Sequence, residues 1–144
     1  MTQLFRRRHN KRLYKTARAV LHHDDSFLLA IHSSFWAKKH KRWGLPGGGI
    51  ERGEDPLVAV QRELEEELEL YHQQFIELGA YAYKGAQHIV YGATIDTRVT
   101  EYDESELLDL RWFTLGEVQN LHASGDLHAG YELQAIEQFN LHNR

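Results

Sequence analysis

With 144 residues, 42% of them hydrophobic and 26% charged, the chain has the size and make-up of one globular domain. Such a domain buries about 68–70% of the surface its unfolded form exposes. The longest unbroken apolar run, Phe27 to Ile31, falls far short of the roughly 18 residues a membrane span needs, and the lack of cysteine excludes disulfides, thiolate catalysis and thiolate metal sites. The Arg-rich start is not followed by an apolar stretch, so no secretory signal is read and a reducing cytoplasm is the expected compartment. A net charge of -4 hides a polarised chain. Residues 1 to 42 hold 11 of the 17 Lys and Arg against two acids, net +9, and the remainder carries -13. One part suits anions; the other suits cations or solvent.

The basic run Arg6, Arg7, Arg8, His9, Asn10, Lys11, Arg12 reads as a solvated N-terminal segment over 1–12, with a single domain over 13–144. Thr16 to Leu21 and Phe27 to Ile31 read as two strands around the turn His22 to Ser26. A polar loop from Ser33 to Lys41 leads to Trp43-Gly44-Leu45-Pro46-Gly47-Gly48-Gly49-Ile50, read as a glycine-rich loop that turns sharply or approaches something closely. Asp55-Pro56 opens the strongest helix, expected to run to about Glu69, because Asp caps free N–H groups and Pro suits the first helical position. Phe75 to Tyr83 and His88 to Val99 read as a hairpin around Lys84-Gly85, and Asp109 to Thr114 as a further strand. Short helices follow over Leu115 to Leu121 and Gly130 to Leu141. Intermixed strands and helices in one short chain indicate α/β or α+β, with a mixed sheet covered by helices.

At 100° per residue, Leu57, Val60, Leu64 and Leu68 form the stripe of the first helix that packs on the sheet. Glu63 and Glu67 then flank the stripe, Glu66 lies a little further round, and Glu65 and Glu69 fall on the opposite flank. Three carboxylates on one arc repel one another, and either Arg62 or a hard divalent cation with oxygen ligands would compensate. A solvated acidic face is the ordinary explanation for a helix standing alone, but here a glycine-rich loop and a capped entry precede it.

Gly48, then Glu54, then Arg62-Glu63-Leu64, then Glu66-Glu67, with Leu70 at the end, together resemble the Nudix box of the Nudix hydrolase family. The box covers 48–70, and Trp43, Leu45, Pro46 and Gly47 look like its usual lead-in. The resemblance implies an α/β/α sandwich with a mixed β-sheet and a loop-helix-loop box, and hydrolysis of a nucleoside diphosphate linked to another moiety. It also implies that Glu63, Glu66 and Glu67 ligate metal, Mg²⁺ or Mn²⁺, with the carbonyl of Gly47 and the carboxylate of Glu106 as further ligands. Arg62 joins the three glutamates in the catalytic set, and Gly48 and Glu54 are structural. Where the family has a glycine after the helix, this chain has Glu69: either the helix runs on through Tyr71 and His72, which with Leu68 continue its spacing, or Glu69 takes a strained left-handed conformation, and the first is favoured.

The chemistry agrees, because a pyrophosphate repels hydroxide and its hydrolysis needs charge neutralisation, an aligned water and a base. Glu63 is favoured as ligand and base, with Glu66 and Glu106 not separated from it. Lys38, Lys39, Lys41 and Arg42 are candidates for the remaining phosphates. Phe35 and Trp36 could stack on a base, and Tyr81, Tyr83 and Tyr91 would suit dinucleoside polyphosphates, though packing explains such residues more often. The ten histidines show no paired ligand spacing. The expected partner is a small-molecule nucleotide, with no membrane; nucleic acid and a homodimer stay open. Competing readings are a non-catalytic nucleotide-binding module and an enzyme acting on capped RNA.

Overall fold

A computed structural model describes residues 13–34 and 39–143. The basic run within 1–12, together with Phe35, Trp36 and Lys38, lies outside the described residues. In chain order come strands β1 (Tyr14–His23), β2 (Ser26–His32) and β3 (Gly47–Gly49), helix α1 (Pro56–Leu68), strands β4 (Ile76–Tyr83), β5 (Ala86–Thr94) and β6 (Leu107–Thr114), and helices α2 (Leu115–Ala123) and α3 (Tyr131–His142). The strands form one mixed six-stranded sheet in the order β4-β5-β1-β2-β6, with β3 added beside β1. Among the described strands β1 and β5 run parallel and the other strand pairings are antiparallel.

The edge of β1 that faces β2 is divided between two partners. Its far end pairs with β2 through His22↔Phe27 and His23↔Ser26, while Thr16 to Arg18 pair with Gly49 to Gly47 of β3. The glycine-rich stretch and its lead-in therefore wedge into the fork between β1 and β2. Ala19 N–H donates to the Pro46 carbonyl at 2.9 Å, and Ala30 and Gly44 exchange two backbone bonds on the other side. What reads from sequence as a loop is in part a strand, because three glycines carry no side-chain pattern by which to recognise one.

Side chains alternate across each strand and fill two cores. Ala17, Ala19, Leu21, Leu28 and Ala30 pack with Ala59, Val60, Leu64 and Leu68 of α1. Val20, Leu29 and Val90 pack on the opposite face with Val118 of α2 and Ile136 and Phe139 of α3. The result is the helix, sheet and helix layering of the α+β class implied by the sequence. Leu57 departs from the expected stripe: it is 43% exposed, and Ala59 takes its place against the sheet. In the first turn Leu57 instead lines an open groove with Tyr14, Phe75 and Tyr91.

The helix also stops where it was expected to continue. Glu69 adopts φ 52° and ψ 37°, a left-handed cap whose N–H returns to the Glu65 carbonyl at 3.1 Å, while Leu70 N–H reaches the Leu64 carbonyl at 3.2 Å. Tyr71 and His72 lie beyond the helix. Closing the last turn onto these carbonyls outweighs the cost of a left-handed residue with a side chain.

Candidate functional site

Helix α1 presents its glutamates to the β3 wedge, and both its ends are fixed. At the start, Asp55 accepts from Leu57 N–H at 3.0 Å and Pro56 occupies the first turn. At the end, Glu69 closes the helix, and Asp103 N–H donates to the Glu67 carbonyl at 2.9 Å. The arc between these ends has the graded burial its angular positions imply. Glu67 is only 2% exposed, Glu63 is partly buried and Glu66 is half exposed.

Arg62 organises this arc. Its Nε donates to Glu54 Oε2 at 2.8 Å and its Nη2 to Glu54 Oε1 at 3.0 Å, a two-point pairing that fixes the guanidinium plane. Nη2 also reaches the Gly49 carbonyl at 3.1 Å, and Nη1 stands 3.1 Å from Glu63 and 3.5 Å from Glu66. The bonds from Arg62 hold the Glu54 carboxyl below the usual range. Glu63 moves the other way: burial first, then the charge of Glu67, raise it, although Arg62 opposes both.

Glycine is required at two points of β3. A Cβ on Gly48 would stand 2.7 Å from the Glu63 carboxylate, so its absence is what admits that side chain. Gly47 has φ 126°, and a Cβ there would collide with the backbone of Ala17 and Arg18. Gly47 N–H donates to Glu67 Oε1 at 3.2 Å, linking the wedge to α1.

Two residues that the sequence reading did not select enter here. Arg18, from the middle of β1, donates through Nη1 to the Gly47 carbonyl at 2.9 Å and stands 3.4 Å from the Leu45 carbonyl. His32, at the end of β2, places Nε2 3.0 Å from the Leu45 carbonyl and 3.2 Å from Arg18, and Nδ1 3.6 Å from Glu67 Oε2. The available signal was a lone arginine among apolar residues of a central strand, which has to find buried acceptors. Arg18 also bears on the α3 face. Burial pushes the Tyr131 hydroxyl up to about 12 with Arg18 opposing, and burial followed by Arg18, His32, Lys84 and Arg42 lowers His128 to about 4.

Glu106 has an exposed side chain, and its backbone is tied to Asp103 and Ser33. The cavity beside Glu66 and Glu67, about 280 Å³, is lined instead by Glu101, Tyr102 and Asp103. Lys41 lines a separate cavity with Ile31, Leu108 and Asp109, Arg42 lies toward His128, and Lys39 is exposed. Among the described residues, no group of three or more His, Asp or Glu side chains is already arranged to hold a metal ion. The donor set is nonetheless of the right kind. Glu63, Glu66 and Glu67 are hard oxygen donors on one helix face, and their mutual repulsion is met only partly by one arginine.

Comparison with known proteins places this geometry in a family. A NUDIX domain model matches residues 13–132. An uncharacterised Nudix hydrolase of Bacillus subtilis is 32% identical over 127 residues, covering 81% of this chain and 76% of that protein. An RNA pyrophosphohydrolase of Psychrobacter cryohalolentis is 49% identical over 45 residues, a match that spans 30% of this chain and only 25% of the relative's length. Among solved structures, the NUDIX domain of Shewanella oneidensis NrtR, in complex with ADP ribose, superposes with a TM-score of 0.71 at 23% identity, covering 91% of this chain and 88% of that one. With its box, its layers and a family match over most of its length, the chain belongs to the Nudix hydrolase family.

Proposed function

We propose that this chain is a divalent-metal-dependent hydrolase that cleaves the phosphoric anhydride of a nucleoside diphosphate linked to another moiety, with water attacking phosphorus. The observation that carries the reading is the arc Glu63, Glu66 and Glu67, fixed against β3 by Arg62 and by Gly47 N–H. These carboxylates, with the Gly47 carbonyl and the carboxylate of Glu106, would hold Mg²⁺ or Mn²⁺. Held there, such an ion would neutralise charge on the anhydride and acidify the attacking water.

The side chains do the rest. Glu54 fixes the Arg62 guanidinium, and Arg62 in turn holds Glu63 and Glu66 in register. Glu63, packed where Gly48 has no Cβ, is the carboxylate assigned to accept the water's proton. Glu67, anchored by Gly47 N–H, keeps helix and wedge at a constant separation, so that ligands and substrate meet in one geometry. Lys39, Lys41 and Arg42 are the described members of the basic group that would meet outlying phosphates.

The test is a substrate panel with Mg²⁺ or Mn²⁺: a nucleoside triphosphate, ADP-ribose, a dinucleoside polyphosphate and a 5′-triphosphate RNA, with the phosphorus products resolved. Cleavage of at least one anhydride into the expected phosphate pair supports the reading. Tight binding of one compound without turnover would replace it with a nucleotide-binding module.

A further inference from the structure

We propose that Arg18 competes with the divalent ion for the Gly47 carbonyl, and that it leaves this carbonyl for a substrate phosphate when ion and substrate bind together. The inference rests on the metal reading above and adds a residue outside the box. Arg18 Nη1 lies 2.9 Å from the Gly47 carbonyl oxygen, the same atom assigned to the ion. The contact is built into the fold, because Arg18 and Gly47 are register partners in the β1–β3 pairing. A Cβ on Gly47 would collide with the backbone of Ala17 and Arg18, so the glycine is what lets β3 approach β1 closely enough for this contact.

A guanidinium and a divalent cation on one carbonyl oxygen stand only a few ångströms apart, where two positive charges repel strongly. The ion's arrival therefore displaces Arg18, and the displaced group has few places to go. Leu45 O and His32 Nε2, at 3.4 and 3.2 Å, and the Tyr131 hydroxyl beside Arg18 supply no negative charge, and the buried carboxylate of Glu132 is already taken up by the N–H groups of Ala129 and Gly130. An anhydride phosphate beside the same carbonyl is the anion that would receive it. Ion and substrate then favour each other's binding, and the substrate-free protein holds its ion weakly.

The measurement is Mn²⁺ affinity without substrate, followed by the electron paramagnetic resonance of free Mn²⁺, for wild type, Arg18→Gln and Arg18→Lys. Both variants keep a donor for the loop carbonyls, and circular dichroism checks that each is folded. The proposal predicts that Arg18→Gln binds Mn²⁺ at least about threefold more tightly than wild type, because the repelling charge is gone, and that Arg18→Lys stays close to wild type. It also predicts a raised KM for Arg18→Gln at saturating metal, with kcat changed much less. Arg18→Gln binding Mn²⁺ no more tightly than wild type would overturn the competition, since a residue that merely braces the loop would loosen the ion when removed. An unchanged KM would overturn the transfer to phosphate. Failure of all three proteins to bind Mn²⁺ would overturn the metal reading itself.

Discussion

Glu69 shows how a single residue can be fixed by hydrogen bonding against its own preference. Its φ of 52° costs a side-chain-bearing residue about 1 kcal/mol relative to glycine. Glu69→Gly is expected to stabilise the protein by up to about 1 kcal/mol, raising the thermal midpoint by roughly 3 °C with activity kept. A lower midpoint would mean that position 69 is helical in solution. The arc glutamates separate by geometry in the same way. Glu66→Gln and Glu67→Gln should each lower kcat by about tenfold or more with little change in fold, because the amide keeps volume and removes charge. Glu65→Gln, on the other flank, should leave kcat almost unchanged, and equal losses at all three positions would contradict the assignment. These angular positions were legible in the sequence because a helix wheel fixes them. The left-handed stop was legible only as the less favoured of two alternatives, because it is ordinarily announced by Gly or Asn and here rests on Glu.

Among the elements, β3 is short in sequence and decisive in placement. Its glycines are not equivalent: a Cβ on Gly48 would meet the Glu63 carboxylate at 2.7 Å, whereas nothing lies within 4 Å of one on Gly49. Gly48→Ala should therefore displace Glu63 and cost about tenfold or more in kcat, while Gly49→Ala should be nearly silent. Steady-state kinetics on the two folded variants checks this, and equal behaviour would show that β3 does not set the position of Glu63. The strands β1, β2, β4, β5 and β6 and the helices α1, α2 and α3 were readable, since each carries a period of its own or a capping residue. Leu57 was misplaced because periodicity gives an angle and not what lies opposite it, and in the first turn of α1 the sheet has given way to a groove.

Across the whole molecule, histidines tie stability to pH. Burial lowers His22, His88 and His128, the last to about 4. Between pH 4 and 6.5 the unfolded chain therefore binds the proton that folded His128 refuses, so stability rises with pH through this window and falls on acidification. The effect at His128 amounts to up to about 3 kcal/mol. The raised carboxyls of Glu63 and Glu132 act in the opposite direction, so the difference from His128→Gln isolates the histidine. Denaturant midpoints at pH 7.5 and 4.5 should show wild type losing more stability than His128→Gln; parallel losses would contradict the lowered value. At this scale the box was legible because its residues are close in sequence. The Arg18 and His32 contacts with the loop were not, because they join strands through a fork in the sheet that no local pattern encodes. The most direct test of the central claim is nucleotide anhydride hydrolysis by the full chain before and after chelation of divalent ions, with the ion then restored. Activity should vanish in excess chelator and return with Mg²⁺ or Mn²⁺. Full turnover in chelator would leave the arc of Glu63, Glu66 and Glu67 without its chemical role and contradict the account.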